Sequence, residues 1–533
     1  MDLWEDLKLG GCPSWPIRPE VIETHISKVF LLEDAVYKFK KPLVLSFLDY
    51  GTRQKRLEAC WQEFDLGRRF GGDIYRSVVL FQRDHNGDIL IRSVDRQEPL
   101  AEAGEYAVEM ARLERTKLMD WVLEHGEISA TTIDFVMNHL VRCDGPEHRL
   151  PLLPEDYTGR IYRHIDENRA TGESLLARYP DEQKNWQILS GRLLMGWARR
   201  QRVLSERAVG QKIVDGHGDL RPEHVFLGKT VAFIDSVEFS LDFRTIDMLD
   251  ELCFLAMECR FLGCEDVAEK LLTKGIQALG DDPPESLARF YQAYRAMVRA
   301  KVHFLRAQQL ADPQGQHSSD AHESFTMGHR YLKLALKLMS EGVSARSDQC
   351  VVLVVSGGMG TGKSTLAREI ARRLGCQLLQ TDRIRHEFFK PLGGQHLAFG
   401  EGKYGLSSRL FIYEKMVTRM EQFLQAGFSV VLDGSFGEPL AVEAVTSVLK
   451  NKGLPYVFFH CEVPPGIAEE RIRSRLARGH SPSEARPELL REHLSRSCWN
   501  FAEEPHLRID GTRSVGQQME EVIQFLDLRF PAR

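Results

Sequence analysis

Residues 351–365, V-V-L-V-V-S-G-G-M-G-T-G-K-S-T, constrain the fold of this chain more than any other stretch. The leading apolar, mostly β-branched run predicts a buried parallel strand. Gly357 to Ser364 then match G-x-x-x-x-G-K-[ST], the spacing of a phosphate-binding P-loop. Beyond the loop Leu366, Ile370 and Leu374 recur every fourth residue, with Ala367 and Ala371 beside them, so a helix opens where its unpaired N–H groups can hold phosphate. Gly357, Gly360 and Gly362 permit positive φ and close backbone approach to an anion, while Gly358, Met359, Thr361 and Thr365 complete the loop. Lys363 brings a point charge to the β- and γ-phosphates, and Ser364 can offer its hydroxyl to Mg²⁺.

At 533 residues the chain exceeds one core, and roughly two to four domains are expected. Apolar content of 43% and charged content of 27% are those of an ordinary soluble protein, and no apolar run is long enough for a membrane span. The opening residues have neither the basic nor the apolar segment of a secretory signal. Cys253, Cys259 and Cys264 come nearest to a cluster, but their spacing fits no common zinc pattern, so the ten cysteines are expected as reduced thiols in a cytoplasmic protein. The net charge of −6 argues against tight binding of long nucleic acid, which depends on phosphate neutralisation, and leaves room for a local basic pocket. Nothing in the sequence speaks to oligomeric state.

Near the start, residues 29–40 read as a hairpin turning at Glu33 and Asp34. On its second strand Val36, Lys38 and Lys40 share one face, and Tyr37 and Phe39 the other. A helix is predicted from about Thr52, with Leu57, Trp61 and Phe64 on one side and Glu63 within it. A strand lysine followed by a helix glutamate is how kinases hold the α- and β-phosphates, with Lys38 or Lys40 in that role. A solvated strand face is the competing explanation.

Further on, I-V-D-G-H-G-D-L-R-P-E-H-V-F-L over 213–227 sets a polar loop between apolar runs, and residues 231–235 form a short strand ending in Asp235. These features resemble the aminoglycoside phosphotransferase family, kinase-like enzymes whose catalytic loop reads H-G-D-x-x-x-x-N and whose metal aspartate follows an apolar strand. The resemblance covers roughly residues 21–339. It implies a bilobal protein-kinase-like fold, with Asp219 accepting or orienting the substrate hydroxyl and Asp235 holding Mg²⁺. His224 stands where the family has a metal-binding Asn, and a neutral imidazole suits hard Mg²⁺ poorly. A glycine-rich loop near Ile26 to Phe30 is absent. Residues 106–113 would lie near the lobe hinge, and residues 243–257 read as one helix, with Asp247 or Glu251 as conceivable substrate contacts. Helical patterns also cover 285–310 and 325–339.

Residues 312–320 and 341–349 are polar and turn-rich, and the second is the expected domain boundary. From residue 350 strands and helices alternate, which predicts a parallel sheet flanked by helices with chemistry at the strand C-terminal ends. Asp382 and Arg385 follow the second predicted strand, and Asp433 ends the third. This part resembles the small P-loop kinases, a group that includes zeta toxins, gluconate kinase and the kinase module of polynucleotide kinases. The resemblance implies Asp382 as base toward an acceptor hydroxyl, Arg385 as a contact to an acidic part of the acceptor, and Asp433 as a carboxylate toward Mg²⁺. For each aspartate a turn or capping role competes. Arg471, Arg475 and Arg478 fall on one helix face and look like the lid arginines of that group, which stabilise the transferring phosphoryl charge; a solvated basic face is the alternative.

The expected architecture is thus α/β and α+β: a kinase-like N-lobe at 1–110, a helical C-lobe at 111–340, a linker at 341–349 and a P-loop kinase domain at 350–533. The expected activity is ATP- and Mg²⁺-dependent phosphoryl transfer to a small-molecule hydroxyl. Two other readings stand beside it, a nucleic-acid-end kinase in the P-loop domain and a nucleotide-sensing N-terminal module.

Overall fold

The computed structural model describes residues 3–15, 17–24, 26–45, 48–311, 319–340, 350–388, 406–477, 490, 499, 501 and 503–530. The chain divides into two compact units that interleave in sequence, one of residues 1–153 and 207–283, the other of residues 154–206 and 284–533. The helical segments expected within 111–340 are therefore shared between both units. The expected boundary at 341–349 and the loop at 312–318 lie outside the described residues.

The first unit is built on a six-stranded antiparallel sheet whose strands lie in the order Glu20–Glu23, Ser27–Leu31, Ala35–Lys40, Glu105–Ala111, Tyr75–Arg83, Ile89–Ser93. The predicted hairpin is there, with Leu31 opposite Val36. Tyr37 and Phe39 enter a core with Trp15, Phe30 and Phe81 on one face of the sheet. The helix Arg53–Gly71 covers the other face and packs Leu57 and Cys60 against Tyr75, Val78 and Val108. Thr52 starts this helix by accepting from the Lys55 amide, as a β-hydroxyl at the N-cap does. Gly67 lets the helix approach closely, since a methyl group there would come within 2.3 Å of the Tyr75 ring.

Two short antiparallel ladders follow, Val225–Leu227 with Val231–Phe233 and Ile213–Asp215 with Thr245–Asp247. The second corrects the expectation of one helix over 243–257. The Asp247 side chain accepts from the Leu249 amide and caps a new helix, Met248–Phe261, so Thr245–Asp247 is released to pair as a strand.

The second unit contains a five-stranded, wholly parallel sheet, ordered Gln377–Gln380, Val430–Asp433, Val352–Gly357, Tyr456–Glu462, His506–Asp510. The central strand, Val352–Gly357, is buried at every residue, as its apolar sequence requires. The helices Pro154–Leu175, Pro180–Ala198, Glu285–Leu310 and Ser319–Leu338 belong to this unit as well. Helix Pro180–Ala198 touches the end of the helix that follows the glycine loop: a methyl group on Gly191 would lie 2.6 Å from the Gly375 carbonyl oxygen. Among the described residues no helix is long and apolar enough to cross a membrane, and the described cysteines are free, Cys253 and Cys259 being buried.

Candidate active sites

In the second unit the loop after the central strand has the required shape. Gly357, Gly360 and Gly362 adopt φ of +140°, +78° and +94°, a region that side-chain-bearing residues rarely enter. Space is equally restrictive, for a methyl group on Gly360 would meet the Ala468 carbonyl oxygen at 2.5 Å. Lys363 and Ser364 open the helix Lys363–Leu374. Lys363 Nζ and Thr361 Oγ1 both donate to the Gly358 carbonyl, at 3.3 and 3.0 Å. The Thr365 amide closes the first turn on Gly362. Met359 turns its side chain toward the apolar cluster of Ala468, Ile472 and Leu490.

Asp433 is 4% exposed and ends the strand beside the central one, in register with Val355. Its Oδ2 accepts from Gln380 Nε2 at 2.8 Å, whereas its Oδ1 is buried with no hydrogen-bond partner. Burial pushes this carboxyl above its ordinary range, against the opposing pull of Lys363, Gln380 and Ser364. Asp382 lies in the first turn of the helix Thr381–Phe388, immediately after the strand that pairs with Val430–Asp433. Arg385, one turn on, donates to Asp382 Oδ1 at 2.5 Å, so the base candidate and the basic contact form one pair.

The arginines of the helix Pro465–Ala477 part company. Arg471 donates to the backbone carbonyls of Gly511 at 2.9 Å and Thr361 at 3.5 Å and ties the glycine loop to the chain after the last strand. Arg475 keeps a buried guanidinium nitrogen without a hydrogen-bond partner. Arg478 lies outside the described residues. Sequence reasoning missed Gln380, whose polar side chain at a strand end facing Asp433 was the available signal.

In the first unit, five charged side chains alternate in sign. Asp235 pairs with Lys38, Lys38 with Glu63 Oε1 at 2.7 Å, Glu63 Oε2 with Lys40 at 2.7 Å, and Lys40 with Glu238. Burial works against the charge on Lys38, but Asp235, Glu63 and Glu238 together outweigh it and hold the ammonium well above the ordinary lysine range. Desolvation by its neighbours opposes the charge on Asp235, although half of its side chain is exposed, and Lys38 followed by His224 prevails and holds the carboxyl low. Asp235 sits at φ +59°, a left-handed conformation that Asp tolerates better than most, and its amide donates to the Tyr75 hydroxyl at 3.1 Å. Sequence reasoning missed Glu238 and Tyr75.

The catalytic-loop candidate Asp219 accepts from Arg221, whose nitrogens lie 3.1 and 3.0 Å from Oδ2. His224 Nδ1–H donates to the Asp219 carbonyl at 2.8 Å, and its Nε2 lies 3.6 Å from Asp235 Oδ2. His217 is fully buried; its Nε2–H donates to the Ile234 carbonyl at 2.9 Å, and burial, then His224, push its imidazole down to about 3. Both oxygens of Glu251 accept loop amides, from His217 and Gly218, at 2.9 Å each. Asp247 is paired with Arg207 at 2.6 Å. Both acids thus brace the scaffold through these bonds.

Among the described residues no three or more His, Cys, Asp or Glu side chains converge as a metal cage. Mg²⁺ asks for less, since one or two carboxylates with phosphate oxygens suffice. The Ser364 hydroxyl and the unpartnered Asp433 Oδ1 fit that need. In the first unit Asp235 fits it, and the His224 imidazole does not.

A parallel sheet with a glycine loop after its central strand, a lysine and serine opening the next helix and a buried carboxylate beside them define a P-loop nucleotide-binding domain. Residues 352–497 match the family model described as an AAA domain. Uncharacterised proteins of Mycobacterium tuberculosis and Mycobacterium bovis are 28% identical over 535 residues, covering 95% of this chain and 97% of theirs. Similar solved structures include a gluconokinase from Sinorhizobium meliloti, at 20% identity and TM-score 0.27, covering 34% of this chain and 94% of that one. The APS kinase CysC of Mycobacterium tuberculosis, solved in complex with AMPPNP and APS, shows 19% identity and TM-score 0.26, covering 34% and 98%.

Proposed function

We propose that this chain is an ATP-dependent phosphotransferase that moves the γ-phosphate to a hydroxyl of a small-molecule acceptor, with one site at the P-loop and a second, kinase-type site in the first unit. The observation that carries this reading is the buried, unpartnered Asp433 Oδ1 beside the loop that presents Lys363 and Ser364, one strand away from the Asp382–Arg385 pair. The loop amides and Lys363 hold the phosphates, and Asp382 receives the proton of the acceptor hydroxyl. Arg385 anchors an acidic part of the acceptor, and Arg475, with Arg478, offers charge to the transferring phosphoryl group. Mg²⁺, which Ser364 and Asp433 would hold, supplies further neutralisation of phosphate charge when bound.

In the first unit the likeness to aminoglycoside phosphotransferases gives Lys38 to the phosphates, Glu63 to Lys38, Asp219 to the acceptor hydroxyl and Asp235 to the metal. The bilobal kinase-like fold is part of the same proposal. A second reading, in which this unit senses nucleotide without transferring phosphate, draws on His224 in the place of a metal-binding Asn.

Steady-state turnover of the Asp219→Ala and Lys363→Ala variants tests the proposal. Two working sites predict that each substitution removes a separable part of the ATP-dependent product formation. If Asp219→Ala leaves every activity intact while Lys363→Ala abolishes all turnover, the sensing reading replaces that of two kinases.

A further inference from the structure

We infer that Lys40, with Glu238, is a positioning pair that keeps Glu63 docked on the sheet whether or not a nucleotide is present, and so leaves Lys38 free to serve the phosphates. This rests on the reading of the first unit as a nucleotide site.

Lys38 and Lys40 stand two residues apart on one face of the strand Ala35–Lys40, so either could reach Glu63, and both do. Their surroundings separate them. The Lys40 side chain is 0% exposed and enclosed by Glu63, Glu238 and the Tyr50 ring, which leaves a phosphate no approach. The Lys38 side chain is 12% exposed, and its outer partner Asp235 is 51% exposed. A phosphate that draws the Lys38 charge outward therefore competes with Asp235, at the open end of the row.

Glu63 would lose its only counter-charge in that event if Lys38 were alone. With one oxygen on each lysine it retains Lys40. Glu238 is in turn fixed by the Tyr50 hydroxyl, which donates to Oε1 at 3.1 Å. The segment between Asp235 and Glu238 is tied down by Arg244, which donates to the Val237 carbonyl at 2.7 Å, and by the Val237 amide, which donates to the His217 carbonyl at 3.0 Å. One buried pair thus sets the helix Arg53–Gly71 through Glu63 and the Asp235 carboxylate through the two residues that join it to Glu238.

The test uses the full chain carrying Lys363→Ala, which removes the lysine charge of the P-loop, and compares ATP with adenosine affinity by titration calorimetry, each variant being read against Lys363→Ala alone. The ratio of the two isolates the phosphate contribution. Lys38→Met is expected to lower the ratio about tenfold, and K40M/E238L, which replaces a buried ion pair with apolar groups of similar size, to lower it by a similar factor with adenosine binding unchanged. Lys40→Arg, which keeps the charge, is expected to preserve most of the ratio. Tyr50→Phe, mild enough to keep the fold, should lower it about threefold, as loss of one hydrogen bond does. A wild-type ratio in both K40M/E238L and Tyr50→Phe overturns the positioning role, and an unchanged ratio in Lys38→Met overturns the assignment of the phosphate lysine. If Lys363→Ala alone abolishes binding of both ligands, the nucleotide-site reading of the first unit fails, and this inference with it.

Discussion

Gln380 and Asp433 meet at the ends of adjacent strands, the amide donating to Oδ2 at 2.8 Å and so fixing the direction in which Oδ1 points. Replacing Asp433 with Asn removes the anionic oxygen while keeping the shape. Turnover at the P-loop site should fall about 10²-fold or more. The melting temperature should hold or rise, because burial already disfavours the charged carboxylate. Scanning fluorimetry beside kcat checks both halves of this expectation.

Gly360→Ala tests the loop geometry. At φ +78° with the Ala468 carbonyl 2.5 Å from any β-carbon, the substitution must move backbone. A loss of about 1–3 kcal/mol of stability is expected, with weaker nucleotide binding, measurable by denaturant melts and nucleotide titration.

Glu251→Gln separates bracing from substrate contact. The carboxylate accepts two amides of the His217–Gly218 turn, and the amide that replaces it can accept only through one oxygen. A stability loss of about 1–3 kcal/mol is expected. Turnover at the first site should fall through kcat, and an acceptor KM that rises with kcat unchanged would instead mark Glu251 as a substrate contact.

His217 gives the protein an acid-sensitive element. Its folded-state value of about 3 lies below the usual imidazole range near 6.5, so folding favours the neutral ring. The associated stability is fully present above about pH 6.5 and is lost as pH falls toward 3. Between pH 7 and pH 5 the loss amounts to about 2 kcal/mol. Urea midpoints across that window should show it, and His217→Gln should flatten the slope.

The parts of this structure legible in the sequence are those set by local spacing. The glycine loop, its strand and its helix follow from residues within one short run, and the alternation of Lys38 and Lys40 with Tyr37 and Phe39 placed two faces of a strand correctly. Thr52 was readable as the start of a helix because a cap acts on its own neighbours. Partners distant in sequence were not readable. Lys40 meets Glu238 across 198 residues, Gln380 meets Asp433 across 53, and Arg471 binds the Gly511 carbonyl across 40. The segment at 243–257 has helical periodicity throughout, yet pairing of Thr245–Asp247 with Ile213–Asp215 interrupts it, and no local pattern announces that ladder.

The most direct measurement is mass spectrometry of the products formed when the full chain is incubated with ATP, Mg²⁺ and a metabolite extract. Small molecules should gain one phosphoryl group in step with ADP, with one part of that product lost in Lys363→Ala and a separable part lost in Asp219→Ala. ADP released with no phosphorylated acceptor would contradict this expectation and mark the protein as an ATPase.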